Sequence, residues 1–211
     1  MCTDKKFERC LRMIPRTLAQ RMYLKHLMSE RPIVVGTGPP GCGKTMFACQ
    51  AAYESLRSKH VSRIIVTRPL VAADEELGFL PGKFEEKMQP WTRPMFDLFE
   101  NYMTKDRIQK VVEVAPLAYM RGRTFSESFI IADEMQNSTP SQMKMCLTRI
   151  GEQSRMVVTG DLDQSDLRGP NGLRDFLDRL EPCEYIEHVH MTSEDVQRHP
   201  VVRHLIERVY V

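Results

Sequence analysis

Short apolar runs alternate with stretches of helical period along this chain. Ile33 to Val35, Arg63 to Thr67, Lys110 to Val114, Phe129 to Ala132 and Met156 to Thr159 are rich in β-branched residues and too short for helices, so they read as strands. Thr139-Pro140-Ser141-Gln142 is a capping box with proline at the first helical position. Met143, Cys146, Leu147 and Ile150 then form one apolar face, and Gly151 ends the helix. Leu173, Phe176, Leu177 and Leu180 repeat the spacing before Pro182 stops it, and Val202, Leu205, Ile206 and Val209 repeat it after Pro200. This alternation predicts an α/β fold with a mostly parallel sheet flanked by helices. No internal repeat, low-complexity tract or Ser/Gly linker divides the 211 residues, so one continuous domain is expected.

Composition narrows the class without naming a chemistry. Hydrophobic residues at 42% and charged residues at 27% exclude a disordered or collagen-like chain. A net charge of +2 gives no global sign of a polyanion partner, but charge is uneven locally. Residues 1–31 carry eight basic and three acidic side chains, whereas residues 74–100 carry three basic and seven acidic ones. The basic end either meets a polyanion or is a solvated helical face. No apolar run reaches the roughly 18 residues of a membrane span, and the first residues lack a secretory apolar stretch, so a soluble, cytoplasmic protein without a membrane partner is expected. The six cysteines form no Cys-x-x-Cys pair, which favours reduced thiols over zinc ligands or disulfides.

The chemistry concentrates in three strings. Gly38-Pro39-Pro40-Gly41-Cys42-Gly43-Lys44-Thr45 fits G-x-x-x-x-G-K-[ST] between a strand and a helical stretch, the context of a phosphate-binding loop. Its glycines let backbone N–H groups turn onto phosphate oxygens at a helix N-terminus, Lys44 reaches the β and γ phosphates, and Thr45 offers a hydroxyl to Mg²⁺. The buried strand Phe129 to Ala132 runs into Asp133 and Glu134. After such a loop, Asp133 is expected to hold Mg²⁺ through water and Glu134 to act as general base on the attacking water. Gln164, after Met156 to Thr159 and the turn Gly160-Asp161, is a sensor of hydrolysis in one reading and a solvated turn residue in the other.

These strings, together with Thr67-Arg68-Pro69, Leu77 through Gly82, Pro116 through Thr124, Asp133 through Asn137, Leu147 through Gly151, Thr159-Gly160-Asp161 and Asp195 through Pro200, resemble the PhoH-like ATPases over about residues 15–210. The resemblance implies a single RecA-like domain related to superfamily 1 helicases, a basic extension at 1–14 and an ATPase domain at 15–211. It also implies ATP hydrolysis with Mg²⁺, association with single-stranded RNA, and ring-like homo-oligomers, a hexamer being one option. Asp74, Met135 and Gln197 depart from the usual family residues.

Under the same resemblance Gln20 reads adenine, although Thr17-Leu18-Ala19-Gln20 is also a capping box in which Gln20 only closes a helix. Arg68, Arg121, Arg123 and Arg198 are candidate γ-phosphate or polynucleotide contacts. Arg198 leads for an arginine finger supplied by a neighbouring copy, with Arg121 second, against an ion pair of Arg198 with Asp195 in its own subunit. Trp91 either stacks a base or belongs to the core. Two other functions compete: a small P-loop kinase, for which no acceptor pocket or arginine-rich lid is visible, and a nucleotide-gated RNA-binding or assembly protein with little turnover. One RecA-like domain does not by itself imply strand unwinding.

Overall fold

A computed structural model of the protein describes residues 14–69, 93–167, 169–197 and 201. The helices are α1 (Leu18–Leu27), α2 (Lys44–Arg57), α3 (93–99), α4 (Lys105–Val111), α5 (Pro140–Leu147) and α6 (Gly172–Asp178). The strands are β1 (Ile33–Thr37), β2 (Arg63–Thr67), β3 (Val112–Val114), β4 (Ser128–Ala132), β5 (Arg155–Gly160) and β6 (Ile186–His190). They form one sheet in the order β3-β2-β4-β5-β1-β6, and every pairing is parallel. All carboxyl ends therefore lie on one edge. Because β4 and β5 lie between β1 and β2, the segments following β1, β4 and β5 leave that edge side by side. This is a RecA-like P-loop arrangement, as the resemblance implied.

Strand alternation sends apolar side chains to both faces. Phe129 and Ile131 of β4 join Tyr23, Phe47, Ile64 and Val157 beneath α1 and α2. Ile130 and Ala132 join Ile65, Met135, Met143, Met156 and Leu173 against α5 and α6. A sheet covered on both sides explains why β4 and β5 read as continuous apolar runs. The predicted capping box forms, with Thr139 accepting from the Gln142 N–H and the Gln142 side chain accepting from the Thr139 N–H.

Several expected elements differ. The run Lys110 to Val114 is not all strand, because Thr104 caps α4 by accepting the Arg107 N–H and the helix continues through Val111. Only Val112–Val114 remain to pair with β2. The strand β6 carries no sequence signal of this kind: as a sheet-edge strand with Glu187, His188 and His190 it lacks the apolar run of the buried strands. Helix α6 stops at Asp178, so Leu180 lies beyond it, although Leu173 fills the core as its spacing implied. The helix expected after Pro200, together with Trp91, Asp74, Leu77 through Gly82, Arg198 and most of the basic extension, falls outside the described residues.

Since β4 carries both cores, truncating it tests the architecture. Ile131→Ala should lower unfolding stability by about 2–5 kcal/mol, read as a reduced urea midpoint at constant m-value. An unchanged midpoint would contradict the burial of this side chain at 0% exposure.

Candidate nucleotide site

The loop after β1 closes tightly on itself. Gly38 has φ +143°, and a Cβ there would come within 2.3 Å of the Met191 carbonyl oxygen, so no other residue fits without backbone movement. Gly43 caps α2 in the left-handed region without a side-chain hydrogen bond. The first N–H groups of a 14-residue helix are thus turned toward the loop, a ready anion cradle. Lys44 Nζ folds over it, donating to the carbonyls of Gly38 at 2.5 Å and Pro39 at 3.0 Å. Cys42 is fully buried, and burial raises its thiol pKa while the nearby Lys44 opposes the shift.

A strap formed by the segment after β6 holds the outer side of the loop. Met191 N–H donates to the Thr37 carbonyl at 2.7 Å, and Gln197 N–H donates to the Gly41 carbonyl at 3.1 Å. Gln20 joins the two layers. Its Nε2 donates to the carbonyls of Cys42 at 3.1 Å and Asp195 at 3.0 Å, while its Oε1 accepts from Arg16 N at 2.8 Å. The side chain is 2% exposed and both its amide protons are used. In this arrangement the Gln20 amide braces the loop from below, besides closing the capping box with Thr17.

The acidic pair stands one strand away from β5 and two from β1. Asp133 is 5% exposed, and its Oδ1 accepts hydroxyl hydrogen bonds from Thr45 at 2.8 Å and Thr159 at 2.5 Å. One carboxylate oxygen thus joins the start of α2 to the ends of β4 and β5. Burial raises the Asp133 pKa, the neighbouring Glu134 adds to the rise, and the two threonine hydrogen bonds and the Arg68 guanidinium oppose it. Glu134 is half-buried and takes φ +54°, uncommon for a residue with a side chain. Its carboxylate accepts from Gln136 Nε2 at 2.6 Å. The hydroxyl and carboxylate oxygens of Thr45 and Asp133 are hard donors of the kind Mg²⁺ takes, and the loop offers N–H groups to phosphate, so the residues present fit both groups.

The remaining candidates separate. Gln164 is exposed on the turn after β5, at the same sheet edge. Arg121 is exposed beside Gly122, whose φ is +79°. Arg123 instead pairs with Glu113 and stacks over the Phe125 ring at 4.5 Å from its centroid, while Arg149 Nη1 donates to its carbonyl at 3.0 Å. These contacts tie Arg123 to β3 and to the segment leading into β4. Thr159 and Gln136 join the site without any local sequence signal for a role. Thr159 is a buried polar residue at a strand end, but only the neighbouring strand shows what it bonds.

The sequence also matches a known family. The family described as PhoH-like protein covers residues 12–210. The chain belongs to this family. It is 48% identical over 200 residues to the PhoH-like protein of Mycobacterium tuberculosis H37Rv, covering 92% of this chain and 56% of that one. With the PhoH-like protein of Bacillus subtilis it shares 42% identity, covering 91% and 62%, and with Protein PhoH of Escherichia coli K12 47%, covering 88% and 54%. The chain thus spans little more than half the length of these PhoH-like relatives. Among solved structures, the Pif1 helicase from Candida albicans aligns with a TM-score of 0.43 at 19% identity, over 85% of this chain and 40% of that one.

The raised Asp133 pKa makes ligand-free stability pH-dependent. The folded state holds this proton more tightly than the unfolded state, so the contribution is full at low pH and is lost as pH rises from the ordinary carboxylate range through the raised value. Asp133→Asn should therefore gain melting temperature relative to wild type across that window and keep a constant advantage above it. A difference independent of pH from 3 to 8 would show that Asp133 is not ionising against burial.

Proposed function

We propose that this PhoH-like protein hydrolyses ATP to ADP and phosphate with Mg²⁺. The observation carrying this reading is the hydrogen bond from Thr45 to Asp133 with Glu134 as the next residue, which joins a phosphate loop to a strand-end carboxylate pair. When bound, Mg²⁺ supplies charge neutralisation at the phosphate oxygens. The N–H groups of the loop and of α2 hold the phosphates, and Lys44 exchanges its carbonyl partners for phosphate oxygens. Glu134 accepts a proton from water as the water oxygen bonds to the γ-phosphorus; the bond to the β–γ bridging oxygen breaks and ADP departs. Gln164, on the adjacent turn, senses the γ-phosphate.

The further parts of the proposal are that a single-stranded RNA is the coupled partner and that the active form is a homo-oligomeric ring. They rest on membership of the family and on the exposed Arg121 in the segment between β3 and β4. The neighbour's arginine is assigned to Arg198, with Arg121 as the second choice, because one RecA-like domain leaves the γ-phosphate incompletely surrounded. Mixing Lys44→Ala with Arg198→Ala under subunit exchange should restore activity in part; no recovery despite proven mixing removes the trans arginine.

Glu134→Gln should retain ATP affinity and lose about 10²–10⁴-fold in turnover, measured by phosphate release alongside a binding isotherm. Lys44→Ala should remove nucleotide binding or turnover. Undiminished hydrolysis by both variants would overturn the assignment. For RNA, log affinity should fall with log salt at about −0.7 per phosphate contacted, and Arg121→Ala should make the slope shallower by about one such contact. An identical slope would leave Arg121 out of the RNA contact.

A further inference from the structure

Beyond Asp133 and Glu134, the short helical turn Met135–Asn137 is tied to the loop after β5 by four hydrogen bonds. Asp161 N–H donates to Gln136 Oε1 at 3.1 Å, and Ser165 Oγ donates to the Gln136 carbonyl at 3.0 Å. Asn137 Nδ2 donates to Asp166 Oδ2 at 3.2 Å, and its Oδ1 accepts the Asp166 N–H at 2.9 Å. Gln164 is carried within this span. Asn137 N–H also donates to the Glu134 carbonyl at 3.0 Å, but of these side chains only that of Gln136 bonds the Glu134 carboxylate, through the 2.6 Å bond from its Nε2.

We infer that Gln136 is a positioning residue for the hydrolytic base: its amide fixes the Glu134 carboxylate and locks it to the loop carrying Gln164. The inference rests on the reading of Glu134 as general base. Three observations build it. The side chain is 3% exposed, so losing either amide bond would leave a buried polar group unpaired. The amide has one workable orientation, because exchanging its ends would set oxygen against carboxylate and NH₂ against the Asp161 N–H. Room for it exists because residue 160 is glycine: a Cβ there would lie 2.9 Å from Gln136 Oε1 and 2.4 Å from Leu173 Cδ2.

The physical consequence follows from the backbone of Glu134. Its left-handed φ and ψ of +54° and +38° start the turn that brings residue 136 back beside residue 134. A glutamate carboxylate rotates about three side-chain bonds, and a base must present one oxygen to one water. Among the described residues, Gln136 is the donor whose hydrogen bond to that carboxylate holds it still. The same amide accepts from the first residue after β5, so displacement of the Gln164 loop is felt at the base through a single rigid group. The other charges of the site, Asp133 on the residue after β4, Arg68 after β2, Lys44 on α2, and Asp161 and Asp166 after β5, are left in place by the test below.

The test compares Gln136→Met, Gln136→Glu and Asn137→Ala for phosphate release and nucleotide affinity. Methionine matches the length and loses both bonds; glutamate keeps an acceptor for the Asp161 N–H but sets an anion against Glu134. Both Gln136 variants should lose on the order of 10²-fold in kcat, the scale of a misplaced reacting group, with nucleotide affinity unchanged. Asn137→Ala should lower the melting temperature with a much smaller effect on kcat. Wild-type kcat in Gln136→Glu would show that only the loop bond matters and overturn the inference, as would an equal kcat loss in Asn137→Ala. Full turnover in Glu134→Gln would instead remove the general-base reading beneath it, a separate and recognisable failure.

Discussion

A buried carboxylate with two hydroxyl partners organises this protein. Asp133 sits at the end of β4, out of water, and one of its oxygens takes hydrogen bonds from Thr45 at the head of α2 and Thr159 near the end of β5. Burying such a group is unfavourable unless it is hydrogen-bonded, and the hydroxyls offset only part of the cost, because its pKa remains raised. The three elements must meet at this oxygen or leave it unpaired. Their meeting sets the distance between the phosphate loop and the acidic pair.

Around this point, the chain uses its parallel sheet to collect chemistry and its edge strand to fix the loop. Placing β4 and β5 between β1 and β2 lines up the loop, the acidic pair and the Gln164 turn along one edge. The strap after β6 then closes the outer side. Thr37 Oγ1 lies between His188 Nε2 at 2.8 Å and His190 Nδ1 at 3.0 Å, Met191 bonds the Thr37 backbone, and Gln20 spans Cys42 and Asp195. Burial and the neighbouring His190 lower the His188 pKa, so this edge favours the neutral imidazole. Residues of ordinary polarity thereby become the frame of the loop. Arginines divide on the same principle: Arg123 is spent on Glu113 and Phe125, whereas Arg121 stays at the surface.

Local chemistry made much of this legible in the sequence. The glycines of the phosphate loop, the apolar run ending in Asp133-Glu134, and the Thr139 capping box are decided by backbone strain, short-range periodicity and hydrogen bonds within four residues. Such signals survive without knowledge of the fold. The motif strings carried the family in the same way, since they reflect residue types at fixed spacing. What tertiary structure decided were the partners separated by long stretches of chain. Gln20 carries a local capping signature, but its bonds to the carbonyls of residues 42 and 195 are made only by the fold. Arg121 and Arg123 are two residues apart and chemically identical, yet Glu113 and Phe125 claim only one. The edge strand Ile186–His190 is half polar because solvent meets it, and only pairing with β1 makes it a strand. Gln136 lies within a legible motif, but its link between Glu134 and Asp161 crosses 25 residues of sequence. Sequence by itself determined which residue types stand at each strand end; the order of the strands determined which of them touch, because hydrogen bonds depend on distances of a few ångströms that no spacing along the chain encodes.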